Sequence, residues 1–558
     1  MLRILTALSL GLAFTAATLA QEASAQEASA KGEFRQAPAL LARYADVPVT
    51  LRSPFFAEAH ARSYDPGREA AGFTTQAEME AFIAALGNAA NLGIGSLGRS
   101  LEGRNIPYLL FTAEGARSLE EAARNQPAVR PVVWLIGQHH GNEPAGGEAM
   151  LALAKDLASG GELAELTRAL TIVIVPRSNP DGAAAFTRDT AAKADPNRDH
   201  LLLTLPETRV LQTAAATLPP DLVIDAHEFT VGGRWLAKFE ALHATDFVYM
   251  RATHPLVPAR ATVLADQLFL PAIEAAAASA GLTAYVYQTS PNARPEDKTV
   301  ATGGNAAGIA RNAFGLMGAV SILLETRGVG IGTQGFQRRV ATHYLAAIGA
   351  LRAAAADPAR LRRAVAEGRQ EAARSHADVV VAHRVPVIQG FVPLVDPVTA
   401  APRPTAVPFL DARHIEPTVV RPRPAGYWLA DGEATAPVRE ALARRGIRSC
   451  ILAAPATVSG AEAFTVTARR QVDRRAINPE GGVSTKAERD AAPVTLPAGS
   501  SYVPVEQPLV GLVVASLDPD AAGGFVSAGL FPGEVGARLP LLRLPAGAGA
   551  IDCPARPN

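Results

Sequence analysis

The sequence predicts an α/β protein: a doubly wound, mixed and largely parallel sheet with helices on both faces, followed by a smaller, mostly β C-terminal region. Three observations predict it. Four runs, PVVWLIG (131–137), TIVIVP (171–176), DLVIDA (221–226) and AVSILLE (319–325), are apolar almost without interruption, as strands covered on both faces are. Between them lie alanine-rich stretches of helical character, such as AGGEAMLALAKDLAS (145–159) and QLFLPAIEAAAASAGL (267–282), the alternation that builds a parallel sheet. After about residue 375 proline, valine and threonine crowd into short strand-like runs, as in HRVPVIQGFVPLVDPVTAAPRPTAVPF.

In chain order, the opening MLRILTALSLGLAFTAATLAQEASAQEASA has one arginine, an apolar stretch from Ile4 to Ala20, then small residues before a polar repeat. That is the layout of an export signal, expected over residues 1–25, with a linker over 26–35. The apolar stretch is short of the roughly 20 residues that span a bilayer comfortably. No membrane span is expected in the mature chain, which should act in the periplasm or outside the cell. Thr75 followed by Glu78 marks a capping box at the start of a helix. The core region is expected over 36–375, closed by a long helical stretch near 336–374, and an accessory region over 376–558 with one helix in TAPVREALARRGI. Lys plus Arg number 53 and Asp plus Glu also 53, a balance that argues against a nucleic-acid partner and for a peptide or small molecule. Nothing in the sequence fixes an oligomeric state. Cys450 and Cys553 either pair, as export would permit, or stay as two thiols.

Chemistry gathers at the strand ends. The first run leads into Gln138-His139-His140-Gly141-Asn142-Glu143, the second into Arg177-Ser178-Asn179-Pro180-Asp181-Gly182, the third into His227-Glu228, and the fourth into Glu325-Thr326-Arg327. In open α/β sheets, sites form beyond the carboxyl ends of the strands, so these clusters should face one crevice. His140, Glu143 and His227 then supply two imidazoles and a carboxylate, the ligand set of a catalytic zinc whose fourth position is kept for water.

Over about residues 73–345 the chain resembles the zinc carboxypeptidases of the carboxypeptidase A-like (funnelin) type. The resemblance is carried by GSLGRSLEGRNI (95–106), His140-Gly141-Asn142-Glu143, Asn179 to Gly182, Asp195-Pro196-Asn197-Arg198, His227 and Glu325, all in family order. It implies one zinc ion on His140, Glu143 and His227, and Glu325 as general base and later proton donor. Arg188 would stabilise the oxyanion, Asn197 and Arg198 would hold the substrate's terminal carboxylate, and Asp195 would fix the His140 ring from behind. The implied reaction is removal of a C-terminal residue from peptides. Hydrolysis of N-acyl amino acids on the same site, or a non-catalytic peptide-binding module, are the alternatives.

Some residues are left over. His139 is expected as a solvated or hydrogen-bonded neighbour, Glu228 as a flanking residue, and Arg327 as a partner of Glu325 or a pocket wall. Surface or core roles are expected for His200, His243 and His254. Relatives usually carry a tyrosine shortly before the catalytic glutamate, yet no tyrosine lies between residues 288 and 325, and Tyr285 and Tyr287 stand farther back. Phe229, two after His227, takes a place where tyrosine is common.

Overall fold

The structure, a computed structural model, describes residues 34–57, 72–470, 483–490, 492–548, 551 and 553. The expected export signal, and the linker up to residue 33, lie outside them. Eight strands form the main sheet: β1 (Leu92–Arg99), β2 (Asn105–Phe111), β3 (Val132–Gly137), β4 (Thr171–Val175), β5 (Leu222–Thr230), β6 (Phe247–Arg251), β7 (Ala284–Val286) and β8 (Val320–Val329). Their order across the sheet is β1-β2-β4-β3-β5-β8-β6-β7. The four central strands run parallel, while β2 and β6 flank them antiparallel. Every residue of β3 and β4 is buried, which is why these segments show no polar alternation.

The main helices are α1 (Gln76–Ala85), α2 (Pro144–Ala158), α3 (Pro206–Thr217), α4 (Leu270–Ala278), α5 (Ala310–Leu316), α6 (Phe336–Ala356) and α7 (Pro358–Arg374). Thr75 and Glu78 form the capping box that opens α1. The helical stretch expected near 336–374 is two helices. Pro358 has no N–H to continue α6, and the Asp357 side chain accepts from the Arg360 N–H at 2.9 Å, so the chain restarts as α7. The segment Ala259–Ala278, which ends in α4, is long and apolar enough to cross a membrane. Here Phe269, Ile273 and Ala277 are buried in the protein core and α4 packs on α6.

The C-terminal region is mostly β, as expected. It contributes β9 (Val379–Arg384), β10 (Val387–Val392), β11 (Thr405–Leu410), β12 (Glu416–Arg421), β13 (Pro424–Leu429), β14 (Cys450–Ile451), β15 (Glu462–Arg469), β16 (Val483–Arg489), β17 (Ser501–Pro504) and β18 (Arg538–Pro545), with helices α8 (Ala436–Arg444) and α9 (Val510–Leu517). A six-stranded sheet, β14-β17-β13-β18-β15-β16, forms its centre. The region is not a loose appendage. β11 adds to Val300–Ala301 beside the main sheet, and Tyr427, Val438 and Val513 belong to the same hydrophobic cluster as Trp134 and Ile224.

Cys450 and Cys553 are joined in a disulfide with Cα atoms 5.6 Å apart, closing 103 residues. Cross-linking a loop of that size removes unfolded-state entropy worth roughly 4–5 kcal/mol in the chain-entropy account. Replacing both cysteines by alanine is expected to cost about 2–5 kcal/mol, read as a lower urea midpoint. An unchanged midpoint would show that the bridge does not stabilise this region.

Candidate metal centre and active site

Strands β3, β5 and β8 are neighbours and run parallel, so their carboxyl ends open along one edge of the sheet. In the β5–β8 ladder Glu325 lies directly opposite His227, and in the β3–β5 ladder Gly137 lies opposite Ala226, three residues before His140. The loop after β3 is seated by two glycines. A Cβ on Gly141 would fall 1.8 Å from the carbonyl carbon of Gly182, so the two backbones touch where no side chain fits. Asn179 fastens this contact, accepting from the Gly182 N–H at 2.9 Å and donating to the His139 carbonyl at 3.1 Å. Asp181 in turn accepts from Ser100 Oγ at 2.6 Å, the Glu102 N–H at 2.9 Å and Arg104 Nη1 at 2.8 Å. The Asn-Pro-Asp-Gly and Glu-Gly-Arg phrases are thus scaffolding for the His140 loop.

Three ligand atoms converge. His140 Nδ1 is 2.8 Å from Glu143 Oε1, His227 Nδ1 is 2.9 Å from Glu143 Oε2, and the two Nδ1 atoms are 3.1 Å apart. Behind them, His140 Nε2 faces Asp195 Oδ1 at 3.1 Å and His227 Nε2 faces Asp225 Oδ2 at 3.0 Å. Assigning each ring proton to Nε2, where an aspartate accepts it, leaves both Nδ1 lone pairs and a carboxylate aimed at one point. Neutral imidazoles in that arrangement have no proton between the two Nδ1 atoms; Arg188 Nη1 approaches His140 Nδ1 at 3.1 Å, and a metal ion would meet all three donors at once. The spacings are close to the edges of about 3.3 Å subtended by a tetrahedral zinc with bonds of ~2.0–2.1 Å. Burial opposes charge on His227, yet Asp225 and Glu143 outweigh it and raise its pKa well above that of free imidazole, so the spot calls for positive charge.

The remaining residues line a pocket of about 470 Å³ that includes His140, Glu143 and Glu325. Arg188 forms its exposed rim and donates from Nη2 to Asp195 Oδ2 at 2.8 Å. Burial works against the charge of Asp195, but Arg188 outweighs it and holds the carboxyl well below its usual range. Burial, reinforced by the charge of Glu143, pushes the Glu325 carboxyl up to about 7. Arg198 reaches the pocket with Nη1 bonded to the Asn197 carbonyl at 2.7 Å.

Comparison with known proteins decides the family. A zinc carboxypeptidase family model matches residues 79–204. Carboxypeptidase 2 of Trichophyton rubrum is 30% identical over 500 residues, covering 88% of this chain and 91% of the relative. The chain belongs to the zinc carboxypeptidase family. Carboxypeptidase 2 of Trichophyton equinum is similar to it as well, 30% identical over 450 residues, covering 80% of this chain and 81% of that one. A metallo-carboxypeptidase structure from Pseudomonas aeruginosa shares 18% identity over 52% of this chain and 70% of that chain, with a TM-score of 0.38. This zinc carboxypeptidase is therefore a peptide-bond hydrolase that uses one zinc ion, and the non-catalytic alternative does not stand.

The structure brings His140, Glu143, His227, Asp195, Arg188, Asn197, Arg198 and Glu325 together, and it redirects several other expectations. Asn197, expected beside Arg198 as a carboxylate clamp, lines the pocket with it; Oδ1 accepts from the Ala310 N–H at 2.7 Å and Nδ2 lies 3.3 Å from His227 Nε2. Arg327 does not pair with Glu325; its guanidinium lies 3.5 Å from the centre of the Tyr44 ring and donates to Gln36 at 2.7 Å. Glu228 is no mere flank, since it is buried, ion-paired to Arg339 at 2.6 Å, and accepts from the Ala145 N–H at 2.9 Å. His139 is buried and bonded to Asp225 at 2.7 Å, so it is a hydrogen-bonded neighbour and not a solvated one. His200 and His243 are core residues. Asp225 was legible only as part of an apolar strand, although it stands two before His227 on the same face of β5. Tyr287 lines the pocket beside Glu325, and burial together with that carboxylate holds its phenol above the usual range.

Proposed function

We propose that this enzyme is an exported metallocarboxypeptidase that removes the C-terminal residue of peptides, with His140, Glu143 and His227 holding the zinc and Glu325 as general base. The carrying observation is the convergence of two acceptor imidazole nitrogens and one carboxylate within 3.1 Å, with Glu325 in ladder register beside His227. Bound zinc supplies Lewis acidity, lowering the pKa of water toward ~7 and polarising the carbonyl under attack. Glu325 takes the proton of the attacking water and returns it to the leaving amine. Arg188, solvent-facing at the rim yet anchored to Asp195, is placed to stabilise the oxyanion. Arg198 receives the terminal carboxylate, for which a planar guanidinium is suited. Asp195 and Asp225 hold the two ligand rings in the orientation that presents Nδ1. Tyr287, the tyrosine that lines this pocket among the described residues, offers its hydroxyl to the substrate in place of one nearer Glu325.

The Cys450–Cys553 disulfide supports export to an oxidising compartment. We assign residues 1–25 to the signal, 26–35 to the linker, 36–375 to the catalytic region and 376–558 to the accessory region. Residue release from a peptide panel, with and without a chelator, tests the activity. Zinc-dependent release from free-ended peptides is expected, and amidation of the C-terminus should abolish it. Arg198→Ala should raise KM about tenfold or more with a smaller change in kcat. Cleavage of amidated peptides, or a preference for N-acyl amino acids over peptides, would displace the exopeptidase reading.

A further inference from the structure

We infer that Arg311 is a specificity-determining residue that binds the side-chain carboxylate of a substrate ending in glutamate or aspartate. This rests on the carboxypeptidase reading above and names the substrate class of that same pocket. Arg311, in the first turn of α5, is 3% exposed and lines the pocket. Nη2 donates to the Gly304 carbonyl at 2.6 Å, while Nε is buried with no hydrogen-bond partner among the described residues. No carboxylate among the described residues stands within ion-pair distance of its guanidinium, whereas several other charges of the pocket have partners. Arg188 pairs with Asp195, Glu228 pairs with Arg339, and Glu143 faces the two ligand histidines.

A buried cation with no counter-ion is costly, and its cost falls when an anion arrives. Burial depresses the pKa of Arg311 to about 10, which leaves it charged at neutral pH. The wall around it is open to a ligand because residue 303 is glycine. A Cβ there would meet the Tyr287 ring at 2.8 Å and Arg311 Nη2 at 3.4 Å, narrowing the approach to the guanidinium. With Arg198 assigned to the main-chain carboxylate and Arg188 to the oxyanion, the buried guanidinium of Arg311 on the same pocket fits a second carboxylate, and a terminal acidic residue carries both. Recognition of this kind discriminates strongly against an uncharged isostere, because the amide leaves the buried charge unmatched.

The test compares N-acylated dipeptides that differ only in ending with Glu, Gln, Leu or Lys. The wild-type enzyme is expected to favour Glu over Gln by about tenfold or more in kcat/KM. Arg311→Gln should bring that ratio close to one, and Arg311→Lys should keep part of it. A wild-type ratio near one overturns the proposal without any variant. So does a ratio unchanged in Arg311→Gln, or an equal loss on all four peptides, which would place Arg311 on the main-chain carboxylate. If no peptide is hydrolysed, the carboxypeptidase reading fails, and calorimetric binding of the same peptides still decides the role of Arg311. Preferential binding of the Glu peptide that is lost in Arg311→Gln supports it, and equal binding of Glu and Gln peptides refutes it.

Discussion

Glu325→Gln is expected to lower kcat by between about 10² and 10⁴ with KM nearly unchanged, since general acid–base catalysis contributes on that scale. The exchange is nearly isosteric and leaves β8 and its ladder with β5 intact. Only the proton acceptor is removed, because an amide cannot take the proton of the attacking water or carry it to the leaving amine. Glu325 is separate from the three converging ligand atoms, so zinc content should stay at the wild-type level, and that measurement separates a lost base from a lost metal. The pH profile gives an independent check. Glu325 must be ionised to act, and burial with the Glu143 charge pushes its carboxyl up to about 7. A bound cation draws it back down. The acid limb of kcat/KM should therefore lie between an ordinary carboxylate and about pH 7, with activity rising as pH rises through it. In Glu325→Gln that limb should disappear from the residual activity. Full activity in the variant would remove Glu325 from the mechanism.

The sequence disclosed most of this site for a physical reason. In a doubly wound sheet the order of apolar runs tells which polar clusters end up at strand termini, and His140, Glu143, His227 and Glu325 each follow such a run. What it concealed depended on contacts between distant segments. Arg327 follows Glu325 by two residues, but its partners Gln36 and Tyr44 lie almost 300 positions earlier, in a segment with no motif of its own. Tyr287 directly follows β7, and its place in the pocket depends on the pairing of β7 with β6, a contact between distant segments that no local pattern encodes. The C-terminal region looked separate by texture, since proline-rich strands differ from alanine-rich helices. Its shared hydrophobic cluster with the central sheet depends on packing, which composition does not report. Pro358, in contrast, was a readable break inside the stretch near 336–374, because proline forbids the hydrogen bond that would carry α6 onward.

His227→Ala is expected to eliminate stable zinc binding, and Asp225→Asn to weaken it by about 10- to 100-fold. The first removes one of three converging donors. The second keeps all three but changes what holds one of them. Asp225 accepts from the Nε2 side of His227 at 3.0 Å and also from His139 at 2.7 Å, so its two oxygens orient two rings at once. An asparagine offers one acceptor and one donor, and one of those rings must rotate or change tautomer. Zinc titration followed by thermal unfolding reads both effects, because a ligand that binds only the native state stabilises it in proportion to the logarithm of its affinity. A 100-fold loss of affinity corresponds to about 2.7 kcal/mol less stabilisation at saturating zinc. Asp195→Asn gives the matched comparison on His140, where Arg188 also leans on the same carboxylate. If Asp225→Asn kept wild-type zinc affinity, the rings would be positioned by packing alone, and the carboxylates behind them would need another purpose.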